Sequence, residues 1–402
     1  MRIVASATVL SSAPTSIEIE VDGAPLRLIV GRRVPLRTLA ELRRALSGYV
    51  RTSAPPRATL TLAGSPGLTV AAELHVAATD DERAHVPFLE PQTFELEEYA
   101  LFALSEWIDA ASLLLGNRSG PRVHAASFVD GDRTWVVVGA SNAGKTSLAL
   151  DAVGRGATYL TDERVTLRSI PPKVVVSGLA QPLRMRGDLA DRPASPAARF
   201  ADDSGTDSFR QLVFCDQFGA VERGWVKPTD LLVLVEEPPR AVDRGWVVRQ
   251  LVEQCQDAVR IGPDALVDLA RLVVRTRVHV SPPRTLRSVL DVGEPLFAPV
   301  ADDPWLLPGG TPAVGPGTGG SAVRVADGVR TLVMGEECLV WLPGDRASVI
   351  GLVGDGALWW RSLAEGEPVP TDAVWMPFVD DLRNTGAILD VSNLADGVRD
   401  GA

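Results

Sequence analysis

The chain has 402 residues and a net charge of −11, and 46% of its residues are hydrophobic. This acidic balance argues against a general nucleic-acid-binding or anionic-membrane surface, and no apolar run reaches the roughly 18 residues that a membrane span requires. The three cysteines, Cys215, Cys255 and Cys338, are odd in number and far apart, which indicates small buried side chains rather than a disulfide framework or a metal site. We therefore expect a cytoplasmic globular protein of two or three domains.

The first module, predicted over residues 1–95, combines short strands with one helix. Apolar and polar residues alternate as in strands in RIVASATVL, SIEIEVDG, LRLIVG, ATLTLAG and LTVAAELHV. Thr38 and Glu41 have the spacing of a capping box that opens the helix TLAELRRALSGYV. His75 and His85 are expected to fill the core or the surface. The module thus predicts an α/β fold and no catalytic site.

A phosphate-binding loop marks the second domain, predicted over residues 96–300. Gly139–Thr146 reads GASNAGKT and matches G-x-x-x-x-G-K-[ST], with the apolar run TWVVV before it and the helix-like stretch TSLALDAV after it. In such a loop, backbone N–H groups and the helix N-terminus bind phosphate, Lys145 reaches the outer phosphates and the Thr146 hydroxyl holds Mg²⁺. The residues predicted to bind the nucleotide are Gly139, Ser141, Asn142, Ala143, Gly144, Lys145, Thr146 and Ser147. The alternative is a glycine-rich turn without a ligand.

An acidic pair, Asp162 and Glu163, ends the strand predicted after the loop helix. Because neighbouring strand ends meet at one edge of an α/β sheet, we expect the pair to lie beside the loop. One carboxylate there could bind Mg²⁺, and the other could accept a proton from an acceptor hydroxyl. Spacing alone leaves open a turn with solvated acids. Arg184 and Arg186 follow in PLRMR and are candidates either for binding a phosphate or substrate, or for a solvated strand edge.

Two turn-rich stretches divide the rest of the chain. Residues 187–210 are polar and indicate a mobile insertion, and residues 308–321 have the composition of a flexible linker. Between them, LLVLVEE is a candidate for a buried strand, and VRQLVEQCQDAV and DALVDLARLVVRTRV have the periodicity of helices. We therefore predict a linker over residues 301–321 and a C-terminal domain over residues 322–402.

The segment 122–165 resembles the catalytic core of HPr kinase/phosphorylase and its bacterial relatives. That family has a histidine that opens the strand before the loop, a loop helix that ends in Arg-Gly, and an acidic pair at the end of the next strand. This chain has His124, Arg155-Gly156 and Asp162-Glu163 in the same order. The resemblance implies ATP and Mg²⁺ as cofactors, Asp162 as the carboxylate nearest the acceptor hydroxyl, Glu163 as support for Mg²⁺, and His124 near the transferred phosphate or its acceptor. From the residues alone, His124 is better explained as a core histidine.

The segment also departs from that family. Asn142 stands where the family usually has glycine, and because asparagine tolerates left-handed backbone, we expect the loop to keep its shape. The second acid is Glu163, where phosphorylase-competent members have aspartate, and the family's acid-Arg-Gly run is not in place. These departures argue against the reverse, phosphorylase reaction and against HPr as the substrate. They fit shortened relatives in peptide-modification pathways, some of which phosphorylate a serine of a precursor peptide.

The C-terminal domain reads as three strands, VRVADGVRTLVM, ECLVWL and ASVIGLVG, followed by the helices GDGALWWRSLAEG and AVWMPFVDDLRNTGAIL. This order resembles the PqqD-like peptide-recognition domain, a small winged-helix fold, and the matching residues are Leu352, Trp359, Leu363, Leu382, Gly386 and Ile388. The resemblance implies that a leader peptide binds as an added strand. A plain packing module is the alternative, and Trp359 and Trp360 are expected to be core.

The predicted fold class is α/β, with a P-loop core like that of HPr kinase and phosphoenolpyruvate carboxykinase, an N-terminal α/β module and a C-terminal winged-helix-like domain. The predicted function is an ATP- and Mg²⁺-dependent kinase that acts on a hydroxyl, by preference serine, of a precursor peptide or small protein held by the C-terminal domain. A non-catalytic nucleotide-binding adaptor that delivers a leader peptide to a partner enzyme and a small-molecule kinase remain alternatives. No nucleic-acid or membrane partner is expected, and a homo-oligomer stays open.

Overall fold

The computed structural model describes most of the chain in separate segments. The described residues are 13–21, 23–64, 67–76, 79–84, 86–95, 99–115, 120–179, 181, 183–186, 210–213, 217–255, 258–283, 286, 288–307, 323–343, 348–367, 369 and 374–390. The strand predicted at RIVASATVL, nearly all of the polar insertion and the linker over 308–321 lie outside these residues. No helix within the described ranges is long and apolar enough to cross a membrane.

A six-stranded sheet forms the N-terminal module. In spatial order its strands are β3 (Val50–Arg51), β1 (Thr15–Val21), β2 (Ala24–Val30), β4 (Ala58–Gly64), β5 (Leu68–Leu74) and β6 (Gln92–Phe94). The pair β2 and β4 is parallel, and the other neighbours are antiparallel. Every second residue of β2 is buried, because alternate side chains of a strand point to one face. The four strands predicted between residues 16 and 76 are confirmed.

The helix α1 (Leu36–Ala45) begins two residues earlier than the sequence predicted. Pro35 is its N-cap residue with φ of −54°, and no side chain caps the helix. Thr38 is buried within the first turn, and Glu41 accepts a hydrogen bond of 3.0 Å from Arg37 Nε. The predicted capping box is therefore wrong, because the fixed φ of proline sets the helix start instead.

Two further helices follow, α2 (Asp80–Ala84) and α3 (Tyr99–Leu115). Leu104 and Trp107 of α3 are buried in the same hydrophobic core as the strands of the first sheet. A helix that is apolar nearly all round needs neighbours on several sides, and α3 also contacts the second domain through Asp109. Its packing groups α3 with the first module, beyond the boundary that the sequence predicted at residue 95.

The second sheet carries the phosphate-binding loop. In spatial order its strands are β11 (Lys173–Gly178), β10 (Arg164–Ile170), β7 (Arg122–Asp130), β8 (Arg133–Gly139), β14 (Asp230–Leu234) and β15 (Arg277–Ser281), and β9 (Thr158–Thr161) pairs with β7. The strands β8, β14 and β15 run parallel, and β7 is antiparallel to β8, β9 and β10. The helices of this domain are α4 (Lys145–Gly154), α5 (Arg244–Glu253), α6 (Ala258–Ile261) and α7 (Asp264–Arg275). Gly131, with φ of +64°, forms the predicted turn between β7 and β8.

A buried carboxylate joins three strands at the end of this sheet away from the loop. Asp230, at the start of β14, is 0% exposed. It pairs with Arg133 Nη2 at 2.5 Å, Arg277 Nη2 at 2.8 Å and His279 Nε2 at 3.1 Å. Burial alone would raise the pKa of Asp230, but the hydrogen bonds from His279 and Arg133 lower it below its usual range. The cluster joins these three strands at the end of the sheet opposite the phosphate-binding loop.

The C-terminal elements form a second small sheet with two helices. In spatial order the sheet contains β16 (Trp305–Leu306), β18 (Arg330–Met334), β19 (Glu337–Leu342) and β20 (Ser348–Leu352), and β17 (Val323–Val325) pairs separately with β21 (Ile388–Asp390). The helices are α8 (Gly354–Glu365) and α9 (Met376–Asn384), as the sequence predicted. Where one strand was predicted over VRVADGVRTLVM, the chain forms β17 and β18, because it turns at Gly328 with φ of +80°.

The two faces of this C-terminal sheet pack against different helices. Leu339 lies in the core formed with α5 and α7, whereas Val340 lies on the opposite face in the core formed with α8 and α9. Trp359 and Trp360 are 4% and 0% exposed, which confirms them as core residues. Trp360 Nε1 donates a hydrogen bond of 2.8 Å to Thr331 Oγ1. The C-terminal sheet is therefore joined to the loop-bearing domain by hydrophobic packing, and the predicted α/β class is confirmed.

Candidate phosphate-binding site

The phosphate-binding loop joins β8 to α4 in a conformation that few sequences adopt. Asn142 has φ of +67° and Gly144 has φ of +102°, so both lie in the left-handed region. At Gly139, a Cβ atom would lie 2.8 Å from the carbonyl oxygen of Leu234 on the neighbouring strand. Asparagine and glycine therefore occur where the backbone requires them, and the expectation that Asn142 preserves the loop is confirmed.

The Lys145 side chain folds back toward the first residues of the loop. Its Nζ donates hydrogen bonds of 2.8 Å to the carbonyl oxygen of Gly139 and 3.1 Å to that of Ala140. Burial lowers the pKa of Lys145, and the nearby charges of Asp162 and Glu163 act in the opposite direction. The ammonium group thus lies at the entrance of the loop with two carboxylates close to it.

Asp162 lies directly beside the start of α4. Thr146 Oγ1 donates a hydrogen bond of 2.7 Å to Asp162 Oδ2, and Asp162 Oδ1 is buried with no hydrogen-bond partner among the described residues. Burial raises the pKa of Asp162 to about 8, the charge of Glu163 adds to this, and the hydrogen bond from Thr146 and the charge of Lys145 oppose it. One oxygen of this carboxyl group therefore has its polar capacity unused beside the loop hydroxyl.

The turn after β9 directs its two acids differently. Thr161 Oγ1 accepts hydrogen bonds of 3.3 Å from the backbone N–H groups of Glu163 and Arg164, which shapes the turn. Glu163 Oε2 lies 3.7 Å from His124 Nδ1, and these side chains are 32% and 29% exposed. Burial and the charge of Lys145 lower the pKa of His124, although Glu163 opposes the shift. Glu163 and His124 therefore form an accessible pair, whereas Asp162 is enclosed.

The oxygen atoms beside the loop fit Mg²⁺ in the manner of nucleotide sites. Thr146 supplies a hydroxyl, and Asp162 supplies an unpartnered carboxylate oxygen. Within the described part of the chain, no group of three or more His, Cys, Asp or Glu residues could hold a metal ion by itself. Mg²⁺ usually binds through one or two carboxylates together with substrate phosphates, so this set of donors fits the metal only as part of a nucleotide complex.

A buried polar cluster connects the acidic turn to α3 of the first module, and sequence reasoning missed it. Arg164 Nη2 pairs with Asp109 Oδ2 at 2.5 Å, and Arg122 Nη1 donates a hydrogen bond of 3.2 Å to the carbonyl oxygen of Asp109. Burial raises the pKa of Asp109 to about 6 despite the opposing charges of Arg164 and Arg122. The available signal was a lone carboxylate in the apolar run WIDAASLLL. Arg164, which follows Glu163, and Arg122, which lies two residues before His124, thus both bond to Asp109 of the N-terminal module.

A cavity of about 270 Å³ lies between the loop and α5. Its apolar walls come from the ends of β8 and β14 and from Pro283, and its polar lining residues are Ser141, Asn142, Glu236, Gln250, Glu253 and Gln254. The carbonyl oxygen of Gln254 accepts a hydrogen bond of 2.8 Å from the backbone N–H of His124, which ties the end of α5 to the strand that carries His124. Sequence reasoning did not assign Glu253 to the site, because α5 reads only as an amphipathic helix.

The remaining candidates lie elsewhere in the same domain. Arg184 and Arg186 are on β12 (Leu183–Arg186), which pairs with β13 (Arg210–Val213), and a phosphate-binding role for them stays a prediction. Ser147 follows Thr146 in the first turn of α4. The loop, Lys145, Thr146, the acidic pair and His124 come together as expected. The fold and the site define an α/β protein with a phosphate-binding loop.

Comparisons with known proteins give a weak resemblance, and it comes from solved structures alone. No protein-family model matches the chain, and no curated protein matches it. Among solved structures, the Hpr(Ser) kinase/phosphatase from Coxiella burnetii is similar with 18% sequence identity and a TM-score of 0.22. The match covers 30% of this chain and 64% of that chain, which is less than two thirds of its length. A similarity this low supports no assignment of activity.

Proposed function

We propose that this chain is an ATP- and Mg²⁺-dependent phosphotransferase that acts on a hydroxyl group. The observation that carries the proposal is the hydrogen bond of 2.7 Å from Thr146 Oγ1 to the buried carboxylate of Asp162, at the start of the loop helix and close to Lys145. Phosphoryl transfer requires a phosphate cradle, a metal site, a group that accepts the acceptor proton, and positive charge. Residues suited to all four roles lie around this loop, and a merely structural turn would not need a buried carboxylate with one unpartnered oxygen.

The loop and its helix supply the cradle and the charge. Backbone N–H groups at the start of α4 are suited to the inner phosphates, and Lys145 can exchange its two carbonyl partners for the outer ones. Thr146 and Asp162 would hold Mg²⁺, which when bound neutralises charge on the phosphate oxygens. Because Asp162 is enclosed and bonded to the loop hydroxyl, it suits this role better than Glu163, which reverses the roles that the resemblance implied.

Glu163 is then the group that accepts the acceptor proton. Its carboxylate is one-third exposed beside His124, so a hydroxyl can approach it from solvent. In the transfer step, the acceptor oxygen forms a bond to the terminal phosphorus, and the bond from that phosphorus to the bridging oxygen of ADP breaks. The acceptor proton passes to Glu163. His124, with its lowered pKa, is neutral near pH 7 and contributes a ring without added positive charge.

A peptide or small protein is the acceptor that the C-terminal domain favours in this proposal. The strand β20 ends the sheet order β16-β18-β19-β20, and a peptide can add to an edge strand by backbone hydrogen bonds. The same sheet packs on α5, whose last turn lines the cavity beside the loop. A peptide held at this sheet would thus have its hydroxyl-bearing residue delivered near the loop at a high effective concentration.

The decisive experiment replaces Lys145 with alanine. Wild type should bind MgATP in calorimetry and add one phosphate to a serine-containing precursor peptide, detected by intact mass. Lys145→Ala should lower the transfer rate by about 100-fold or more, since removing one preorganised donor to the transition-state charge typically costs this much. Lys173→Ala is the matched control, because Lys173 is exposed on β11 and should leave transfer unchanged.

Each outcome of this experiment is informative. Transfer by Lys145→Ala at the wild-type rate would show that the loop is not the catalytic phosphate site. MgATP binding without transfer to any peptide offered would favour the adaptor that delivers a leader peptide. Transfer to a free hydroxyl compound, without a peptide, would favour the small-molecule kinase. Absence of MgATP binding by the intact chain would reject the proposed function altogether.

A further inference from the structure

If a nucleotide binds the loop as proposed, the cavity beside the loop lies at its terminal-phosphate end. In loops of this type the lysine reaches the outer phosphates. Lys145 Nζ bonds to the carbonyl oxygens of Gly139 and Ala140, and these two residues also form a wall of the cavity. The inner phosphates belong instead to the N–H groups at the start of α4, so the nucleoside extends away from this wall. The group that enters the cavity is therefore the acceptor of the phosphoryl group and not the nucleobase.

Each polar side chain that lines the cavity is either a glutamate or an uncharged residue. Glu236 extends from the end of β14 and Glu253 from the last turn of α5, and Gln250 Nε2 donates a hydrogen bond of 3.2 Å to Glu253 Oε2. No lysine or arginine occurs among the described residues that line the cavity. A negatively charged acceptor would be repelled by the two carboxylates, whereas an ammonium or guanidinium group would be attracted.

We infer, on the basis of the proposed function, that this cavity binds an acceptor whose hydroxyl lies next to a positively charged group. The volume of about 270 Å³ is just below the usual range for small-molecule sites, so it suits one residue of a peptide or a small amino alcohol. The acceptor hydroxyl points toward the loop, and its cationic neighbour lies between Glu236 and Glu253. Charge next to the hydroxyl thus selects the substrate.

Three probes with the same primary hydroxyl group test this inference. L-serinamide carries a positive charge at neutral pH, N-acetyl-L-serinamide is neutral, and N-acetyl-L-serine is negative. Their affinities are measured by ligand-observed NMR with the full chain saturated with magnesium and a non-hydrolysable ATP analogue. Since an exposed ion pair contributes a small but measurable free energy, we expect each step from positive to neutral to negative to weaken binding by about threefold or more.

Matched variants identify the side chains responsible for this selectivity. In the double variant Glu236→Gln with Glu253→Gln, the three affinities should converge to within about twofold. Glu237→Gln is the control: Glu237 is exposed and adjacent in sequence but does not line the cavity, and it should keep the wild-type order. Raising the ionic strength should weaken the order in wild type, because exposed charges are screened.

The outcomes separate this inference from the proposed function. Failure of the ATP analogue to bind overturns both. If the analogue binds but the probes bind equally, or none binds, the cavity is not a site for a cationic acceptor and only this inference is lost. The same conclusion follows if the order survives in the double variant. A loss of nucleotide affinity in the double variant, with the probe order unchanged, would place the nucleoside in the cavity instead.

Discussion

Replacing Asp162 with asparagine tests how the buried carboxylate contributes to nucleotide binding. Its pKa of about 8 means that in the free protein the group is mostly protonated at pH 7. In the proposed site a metal ion would require the ionised form, so we expect binding of MgATP to release this proton. With that pKa, about 0.9 of a proton should leave Asp162 at pH 7. Asparagine has no proton to release, although it keeps the shape of the protonated carboxyl.

The assay is calorimetry of MgATP binding at pH 7 in two buffers with different ionisation enthalpies. The number of protons released follows from the difference between the two heats. Wild type should release about 0.9 proton more than Asp162→Asn, provided that both are titrated at concentrations that reach saturation. Other groups in the site, among them His124 and Lys145, are present in both proteins, so their contributions cancel in the comparison.

Stability provides an independent check with a defined sign. The folded-state pKa of Asp162 lies above the ordinary value of 3.8, so between these pH values the native state keeps a proton that the unfolded state has lost. The contribution of this group to stability is complete below about pH 4 and declines as pH rises toward 8, by about 1.4 kcal/mol per pH unit. Asp162→Asn lacks this decline and should gain stability relative to wild type from pH 5 to pH 7. Equal proton release and equal pH slopes in the two proteins would refute the reasoning.

Two further predictions concern the loop and the opposite end of the same sheet. Asn142→Val should weaken MgATP binding about tenfold, because a β-branched residue is strained at φ of +67°. Asn142→Gly should bind MgATP as wild type does. Equal affinity of the two variants by calorimetry would contradict this prediction. Asp230→Ala should lower stability by about 3 kcal/mol in urea unfolding, since it removes the carboxylate shared by Arg133 and Arg277. Because the pKa of Asp230 is lowered, its contribution is present above about pH 4 and is lost as pH falls, and a variant with an unchanged pH profile would contradict that role.

Local patterns in the sequence predicted most of the elements that build the site. Adjacent residues were enough to predict the loop, the apolar strand before it and the left-handed backbone at Asn142. Backbone conformation depends mainly on neighbouring side chains, so such features can be read from short stretches. Alternation of apolar residues predicted the strands of the first module, and helical periodicity predicted α8 and α9. The start of α1 was predicted wrongly, because Pro35 fixes the backbone before the capping pattern can act.

Contacts between distant segments were decided by the tertiary structure. The sequence placed Asp162 and Glu163 at one strand end, but only the turn at Thr161 assigns one acid to Thr146 and the other to His124. The resemblance to a kinase family implied that Asp162 lies nearest the acceptor hydroxyl and that Glu163 supports Mg²⁺, whereas these contacts are the basis for proposing the reverse.

What the sequence by itself determined is the phosphate-binding loop, because its chemistry is local. The pairing of Asp109 with Arg164, the joining of three strands at Asp230, and the placement of Glu253 beside the loop each depend on sheet register and helix packing. These arrangements arise from hydrophobic contacts summed over whole elements, which no short pattern of residues contains. The side chains that surround the loop therefore came from the tertiary structure alone.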